Sequence, residues 1–235
     1  MTRHFERDMM RLERELLAIA GMVEEAVLLA VRALIEHKVE LAQQVIAGDR
    51  AIDLKEVELE EDGLKILALH RPVAVDLRFI VAALKVNNDL ERIGDMAVNI
   101  AERTTELGAR PSTSDRIERI RAMSEQVLKM VRTSLNALVR HDAVLARTVR
   151  QQDDAVDDHH RKMYDEMEQA VRANPETASE ALRHLSVSRN LERIADLATN
   201  IAEDVIFMVE GDVVRHRLGK RAMAPVGSPE ANERR

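Results

Sequence analysis

The chain has 235 residues, 46% hydrophobic and 33% charged, too apolar for a disordered segment and too long to lack a core. It has no cysteine, which excludes disulfides and thiolate metal sites, and only four aromatic residues, so the core is aliphatic. Net charge is −7; from Gly211 onward six Lys/Arg face three Asp/Glu, leaving a body of −10 that excludes a general nucleic-acid binder.

Apolar residues recur at steps of three and four almost throughout, and no stretch alternates as a strand would. The first predicted helix covers about 2–46, with an irregularity near His37. Its apolar stripe is Leu12, Leu16, Ile19, Val23, Val27, Ala30 and Leu34. The second covers 49–70 and ends before Pro72, which opens the third, 73–107. Pro111 separates the halves, and Ser112 or Ser114 is expected to cap a fourth helix over 113–149. The fifth covers 151–173, Pro175 breaks the chain, and the sixth covers 176–210. Residues 212–235 carry Gly219, Gly227, Pro225, Pro229, Ser228 and five arginines with no apolar periodicity, and read as a flexible tail. No run approaches the ~20 apolar residues of a membrane span. The first sixteen residues lack the apolar centre of a signal peptide. A cytoplasmic location is expected.

The chain repeats itself. LERIGDMAVNIAE at 90–102 returns as LERIADLATNIAE at 191–203, identical at ten of thirteen positions. An offset of 104 places His37 on His141, Val45 on Val149, Asp49 on Asp153 and Asp53 on Asp157; after the proline joints the offset becomes 101. The expected architecture is all-α: six long helices in two tandem, similar three-helix bundles, 1–110 and 111–211, followed by the tail.

Within the repeated segment the apolar residues occupy one face, and the acids sit beside it. Glu91 and Asp95 are helical neighbours roughly 5–6 Å apart at Cβ, as are Glu192 and Asp196. Like charges at that spacing destabilise a helix unless a cation lies between them. The second helix of each half supplies a matching pair, Asp49/Asp53 and Asp153/Asp157. These eight carboxylates are the candidate metal ligands, with Asn99 and Asn200 as weaker candidates. Oxygen donors suit hard cations such as Fe, Mn, Mg or Ca, and Zn also accepts them. The bland alternative is a solvated acidic face, with Asp49 and Asp153 serving only as helix N-caps. His159 and His160 read as surface residues, because Glu56 stands where the first half would need the second imidazole. Arg92 and Arg193 are expected to pair with local acids, and the methionines to fill the core.

The stretch RPVAVDLRFIVAALKVNNDLERIGDMAVNIAE, with RNLERIADLATNIAE in the second half, resembles the PhoU family of phosphate-specific transport accessory proteins. The resemblance covers about residues 5–210. It implies two similar three-helix bundles and a cytoplasmic, often dimeric, non-enzymatic negative regulator of phosphate uptake. It implies contact with the ATP-binding subunit of the phosphate ABC transporter and with a sensor histidine kinase, so that the membrane is reached only through partners. The family's (E/D)xxxD motifs bind metal clusters, and they match Asp49/Asp53, Glu91/Asp95, Asp153/Asp157 and Glu192/Asp196. Ala195 in place of Gly94, and the missing proline-DLR element, break strict symmetry between the halves. Two other readings compete: a di-iron carboxylate enzyme, which needs inward Glu-x-x-His elements absent at the repeat positions, and a metal-free helical scaffold.

Overall fold

The computed structural model describes residues 3–107 and 114–211. The helices are α1 (Arg3–Glu36), α2 (Val39–His70), α3 (Ala74–Leu107), α4 (Ser114–Arg140), α5 (Ala143–Ala173) and α6 (Ala178–Glu210), with a 3-10 turn at Pro175–Thr177. They form two three-helix bundles, α1–α2–α3 and α4–α5–α6. The seven apolar residues expected to form the inner stripe of α1 are all buried. Among the described residues, no helix is long and apolar enough to cross a membrane.

Two joints differ from expectation. The first helix stops at Glu36 rather than near 46, and the fourth at Arg140 rather than near 149. Each ends in a left-handed residue, His37 at φ 54° and His141 at φ 51°. The amides behind them turn back onto the helix: Lys38 N–H donates to the Ala33 carbonyl and Asp142 N–H to that of Ala137, both at 2.9 Å. His37 and His141 likewise donate to Leu34 and Leu138. This pair of bonds satisfies the last carbonyls of a helix, and glycine usually occupies its left-handed position. With histidine there, no glycine or proline marks the stop. Asp142 then caps α5, accepting from Leu145 N–H at 2.9 Å, whereas Lys38 gives α2 no side-chain cap. The position of Ser112 lies outside the described residues, as does the tail from 212.

The bundles share one aliphatic core. They meet through α3 against α6 and α1 against α4. The α3–α6 pair is antiparallel: Arg78 Nε donates to the Met208 carbonyl at 3.4 Å, Lys85 Nζ lies 3.3 Å from Asp204 Oδ1, and Arg183 lies 3.6 Å from Glu106. Lys85 also stands over the Phe207 ring, 5.1 Å from its centre. Between α1 and α4, Arg132 pairs with Glu24 at 2.6 Å. The two motif-bearing helices are therefore the central ones, with α2 and α5 flanking them.

Candidate functional site

Asp49 and Asp153 lie about three turns inside α2 and α5, not at their starts. Neither is an N-cap, so capping does not explain their carboxylates. In the first bundle the chain approaches closely at Gly94, where a methyl group would lie 3.5 Å from Ile52 and 3.8 Å from Asp49 Oδ1. That contact sets the α2 acids beside the α3 acids. Burial, then the charges of Asp53 and Asp95, push Asp49 above the usual carboxylate range. Glu91 is raised by burial, then by Asp95, Asp53, Glu56 and Asp49, and Asp95 by burial and Asp53. The structure therefore brings Asp49, Asp53, Glu91 and Asp95 into one field of negative charge.

The second bundle repeats the arrangement more tightly. Asp153 is pushed up to about 6 by burial, then by Asp196, Asp157, Asp154 and Glu192. Its Oδ1 is buried with no hydrogen-bond partner. Asp196 is raised by burial, Glu192 and Asp157, and opposed by Arg193. Arg193 thus acts on a local acid as expected, and Arg92 lies 3.5 Å from Asp89.

Glu56, absent from the sequence-derived set, belongs to the first stripe. Burial and then the charges of Glu60 and Asp53 raise its carboxyl. The Asn87 side-chain amide donates to its backbone carbonyl at 2.9 Å and to Oε1 at 3.5 Å. At the repeat positions stand His160 and Ser188, and His160 Nδ1 lies 2.9 Å from Ser188 Oγ. One hydrogen-bonded pair has replaced another across the same helix contact. His160 is therefore half-buried and anchored, not a free surface residue, and the His159 Nδ1 atom beside it is buried without a partner.

Among the described residues, no group of three or more acid or imidazole side chains is already arranged to hold an ion. The stripes are open: Asp53, Asp95 and Asp196 are exposed. They lie on the outer surface of the bundles, whereas a di-iron carboxylate site faces the core. Their chemistry still fits a hard cation, because clustered carboxylates, one with an unpartnered buried oxygen, lose mutual repulsion when positive charge enters. Asn200 lines a cleft of about 480 Å³ between α3 and α6 with Arg92, Arg193, Asp196 and Thr199. Asn99 is half-buried on α3.

The raised carboxyl of Asp153 has a measurable consequence. Below its unfolded value of 3.8 it is protonated in both states, and no penalty exists. From there to about 6 the unfolded chain releases the proton while the folded chain keeps it, so stability falls as pH rises, and the penalty is complete above that window. In chelator, Asp153→Asn is expected to stabilise the fold by about 1–2 kcal/mol at pH 7, after allowing for solvent screening, and by almost nothing at pH 3.5. Thermal melts should show a gain of roughly 2–8 °C at pH 7. An equal gain at both pH values contradicts the assignment.

Three comparisons with known proteins bear on this geometry. The PhoU domain model matches residues 16–104 and 120–205, one match for each bundle. The phosphate-specific transport system accessory protein PhoU homolog of Pseudomonas putida is 38% identical over 96% of this chain and 88% of its own. That of Aquifex aeolicus is 38% identical over 87% and 92%. The crystal structure of PhoU from Pseudomonas aeruginosa superimposes with a TM-score of 0.86 at 38% identity, covering 88% of this chain and 100% of that one. The phosphate transport system regulatory protein PhoU of Streptococcus pneumoniae gives 0.82 at 28% identity, over 89% and 99%.

Proposed function

We propose, from the premise that this chain belongs to the PhoU family, that it works as a metal-binding adaptor in phosphate regulation. The family's role is phosphate-regulatory, and its members are accessory proteins rather than enzymes. The finer reading is that the protein holds the phosphate-starvation response off when phosphate is plentiful. It does so as a cytoplasmic homodimer that contacts the ATP-binding subunit of the phosphate ABC transporter and a sensor histidine kinase. Its two bundles, 1–110 and 111–211, act as paired units, and it reaches the membrane only through those partners.

The observation that carries the metal part is the doubled acidic stripe, with carboxyls raised by burial and by one another. Asp49, Asp53, Glu91 and Asp95 would hold an ion on the first bundle, and Asp153, Asp157, Glu192 and Asp196 on the second. A bound cation supplies positive charge that relieves the repulsion. The ion is Fe, Mn, Mg, Zn or Ca, all of which accept oxygen ligands. Ala195 leaves less room on the second bundle than Gly94 leaves on the first, so the two stripes differ in affinity.

The adaptor role is tested by affinity capture from cells grown in high phosphate, with and without chelator in the wash. Both the transporter ATP-binding subunit and the kinase should be recovered, and chelator should reduce the yield. Recovery of neither under high phosphate contradicts the adaptor reading.

A further inference from the structure

The antiparallel contact of α3 with α6 brings one repeat position to the same place twice. Arg92 and Arg193 are equivalent residues of the two repeats, as are Met96 and Leu197, and all four line the cleft of about 480 Å³ between these helices. Leu197 is buried and Met96 half-buried, so they form an apolar floor. The duplication has therefore gathered two guanidiniums into one cleft, where like charges repel. Local acids offset them little. Arg193 has no ion pair or hydrogen bond among the described residues and acts on Asp196 only through its field. Arg92 keeps one long contact, 3.5 Å to Asp89. Each guanidinium carries five N–H donors, and most of these have no protein acceptor. Thr199 adds another donor: it lines the same cleft, and its Oγ1 is buried with no hydrogen-bond partner.

Donors of this kind call for an oxyanion, because the guanidinium fork matches paired oxygens. The acid in the cleft narrows which one. Asp196 lines it beside the two arginines. Sulfate, a carboxylate or a phosphodiester is fully ionised at neutral pH and meets that carboxylate as a like charge. Inorganic phosphate does not: it keeps at least one proton, and its P–O–H can donate to a carboxylate oxygen while its other oxygens accept from the arginines. A phosphate monoester gives up its last proton at about pH 6 and loses this match. We infer that the cleft between α3 and α6 binds hydrogen phosphate, held by Arg92 and Arg193, with Thr199 donating a further hydrogen bond and Asp196 accepting one from the phosphate hydroxyl. The second oxygen of Asp196 remains for the acidic stripe. The space left over suits bridging waters, and Asn200 offers them both a donor and an acceptor. Val98 stands at the position of Thr199 in the first repeat, so the site is one-sided despite the duplication. This deepens the phosphate-regulatory reading, on which it rests for the ion's part in the cell, and it needs neither the metal nor the protein partners.

The test is isothermal titration calorimetry on the full chain, stripped of metal, at mildly alkaline pH and fixed ionic strength. Inorganic phosphate should bind at one site, at least roughly tenfold more tightly than sulfate, acetate or glycerol phosphate. Arg92→Gln and Arg193→Gln should each weaken it at least about tenfold. Both side chains are exposed, so circular dichroism and melting temperature should be retained. Thr199→Val, which copies the first repeat, should weaken it severalfold. Asp196→Asn is the diagnostic variant. An amide can donate to either anion, so sulfate binding should rise until the preference for phosphate is lost. Arg172→Gln is the control, since that side chain is 77% exposed and far along α5, and its loss should leave phosphate binding unchanged. No saturation by about 10 mM phosphate overturns the inference. So does equal binding of phosphate and sulfate by the parent chain, or an unchanged preference in Asp196→Asn. Glycerol phosphate bound as tightly as phosphate would assign the cleft to an organic ester instead, and a loss in Arg172→Gln equal to that in the cleft variants would show unspecific charge attraction. Either result also overturns it. Metal, transporter and kinase are all absent from this experiment, so failure here is separable from failure of the adaptor role.

Discussion

Asp95→Asn combined with Asp196→Asn is expected to lower metal affinity at both stripes by at least about a hundredfold, as loss of a carboxylate ligand should. Each substitution removes one oxygen charge from the centre of its cluster, where Asp95 answers to Asp53, and Asp196 to Glu192 and Asp157. The same change should have opposite effects on stability with and without metal. In chelator the double variant should melt higher than the parent chain, because mutual repulsion has fallen. With metal at a hundred times the parent's dissociation constant, ligation adds about 2.7 kcal/mol to the parent and little to the variant. The two melting curves should therefore exchange order when metal is added. Elemental analysis of both proteins, purified without chelator, checks the first half of the prediction. Metal content unchanged in the double variant excludes these ligands.

Ile194→Ala is the second large effect. Ile194 is wholly buried on α6, inside the repeated segment and within the core that both bundles share. Truncating a fully buried isoleucine costs about 2–5 kcal/mol, the spread reflecting how far neighbours can close the cavity. For a protein of this size that is roughly 4–20 °C in melting temperature. Because the core is continuous across the α3–α6 contact, calorimetry should show one transition moving down as a unit. Leu182→Ala is the control: that side chain is 65% exposed, and its loss should change stability by no more than about 0.5 kcal/mol. Two separated transitions in Ile194→Ala would show instead that the bundles unfold independently.

The helical architecture was legible because aliphatic periodicity is unusually clean in a chain with so few aromatics. The tandem bundles were legible from the repeat. The α1–α2 and α4–α5 joints were not, for a local reason: the left-handed residue at each is histidine, and the apolar pattern runs on into the next helix. The error had a consequence. It put Asp49 and Asp153 near helix starts, where capping could account for them, whereas in mid-helix it cannot. The alignment of His37 with His141 was the available signal that both joints share one device.

The acidic pairs on α2 and α3 were legible separately, but their convergence was not, since spacing along one helix says nothing about the rotation of its neighbour. The Gly94 approach to Asp49 supplies that rotation. Glu56 and His160 were passed over because they differ between the repeats. The informative signal was the paired change, Glu56 with Asn87 becoming His160 with Ser188, which marks a contact rather than drift.

Both acidic stripes are expected to bind a hard cation. Anomalous diffraction from crystals of this protein grown with manganese tests it most directly. One set of peaks is expected between α2 and α3, beside Asp49, Asp53, Glu91 and Asp95. A second set is expected between α5 and α6, beside Asp153, Asp157, Glu192 and Asp196. Crystals with no anomalous peak at either stripe, or with manganese bound only elsewhere on the surface, would contradict it.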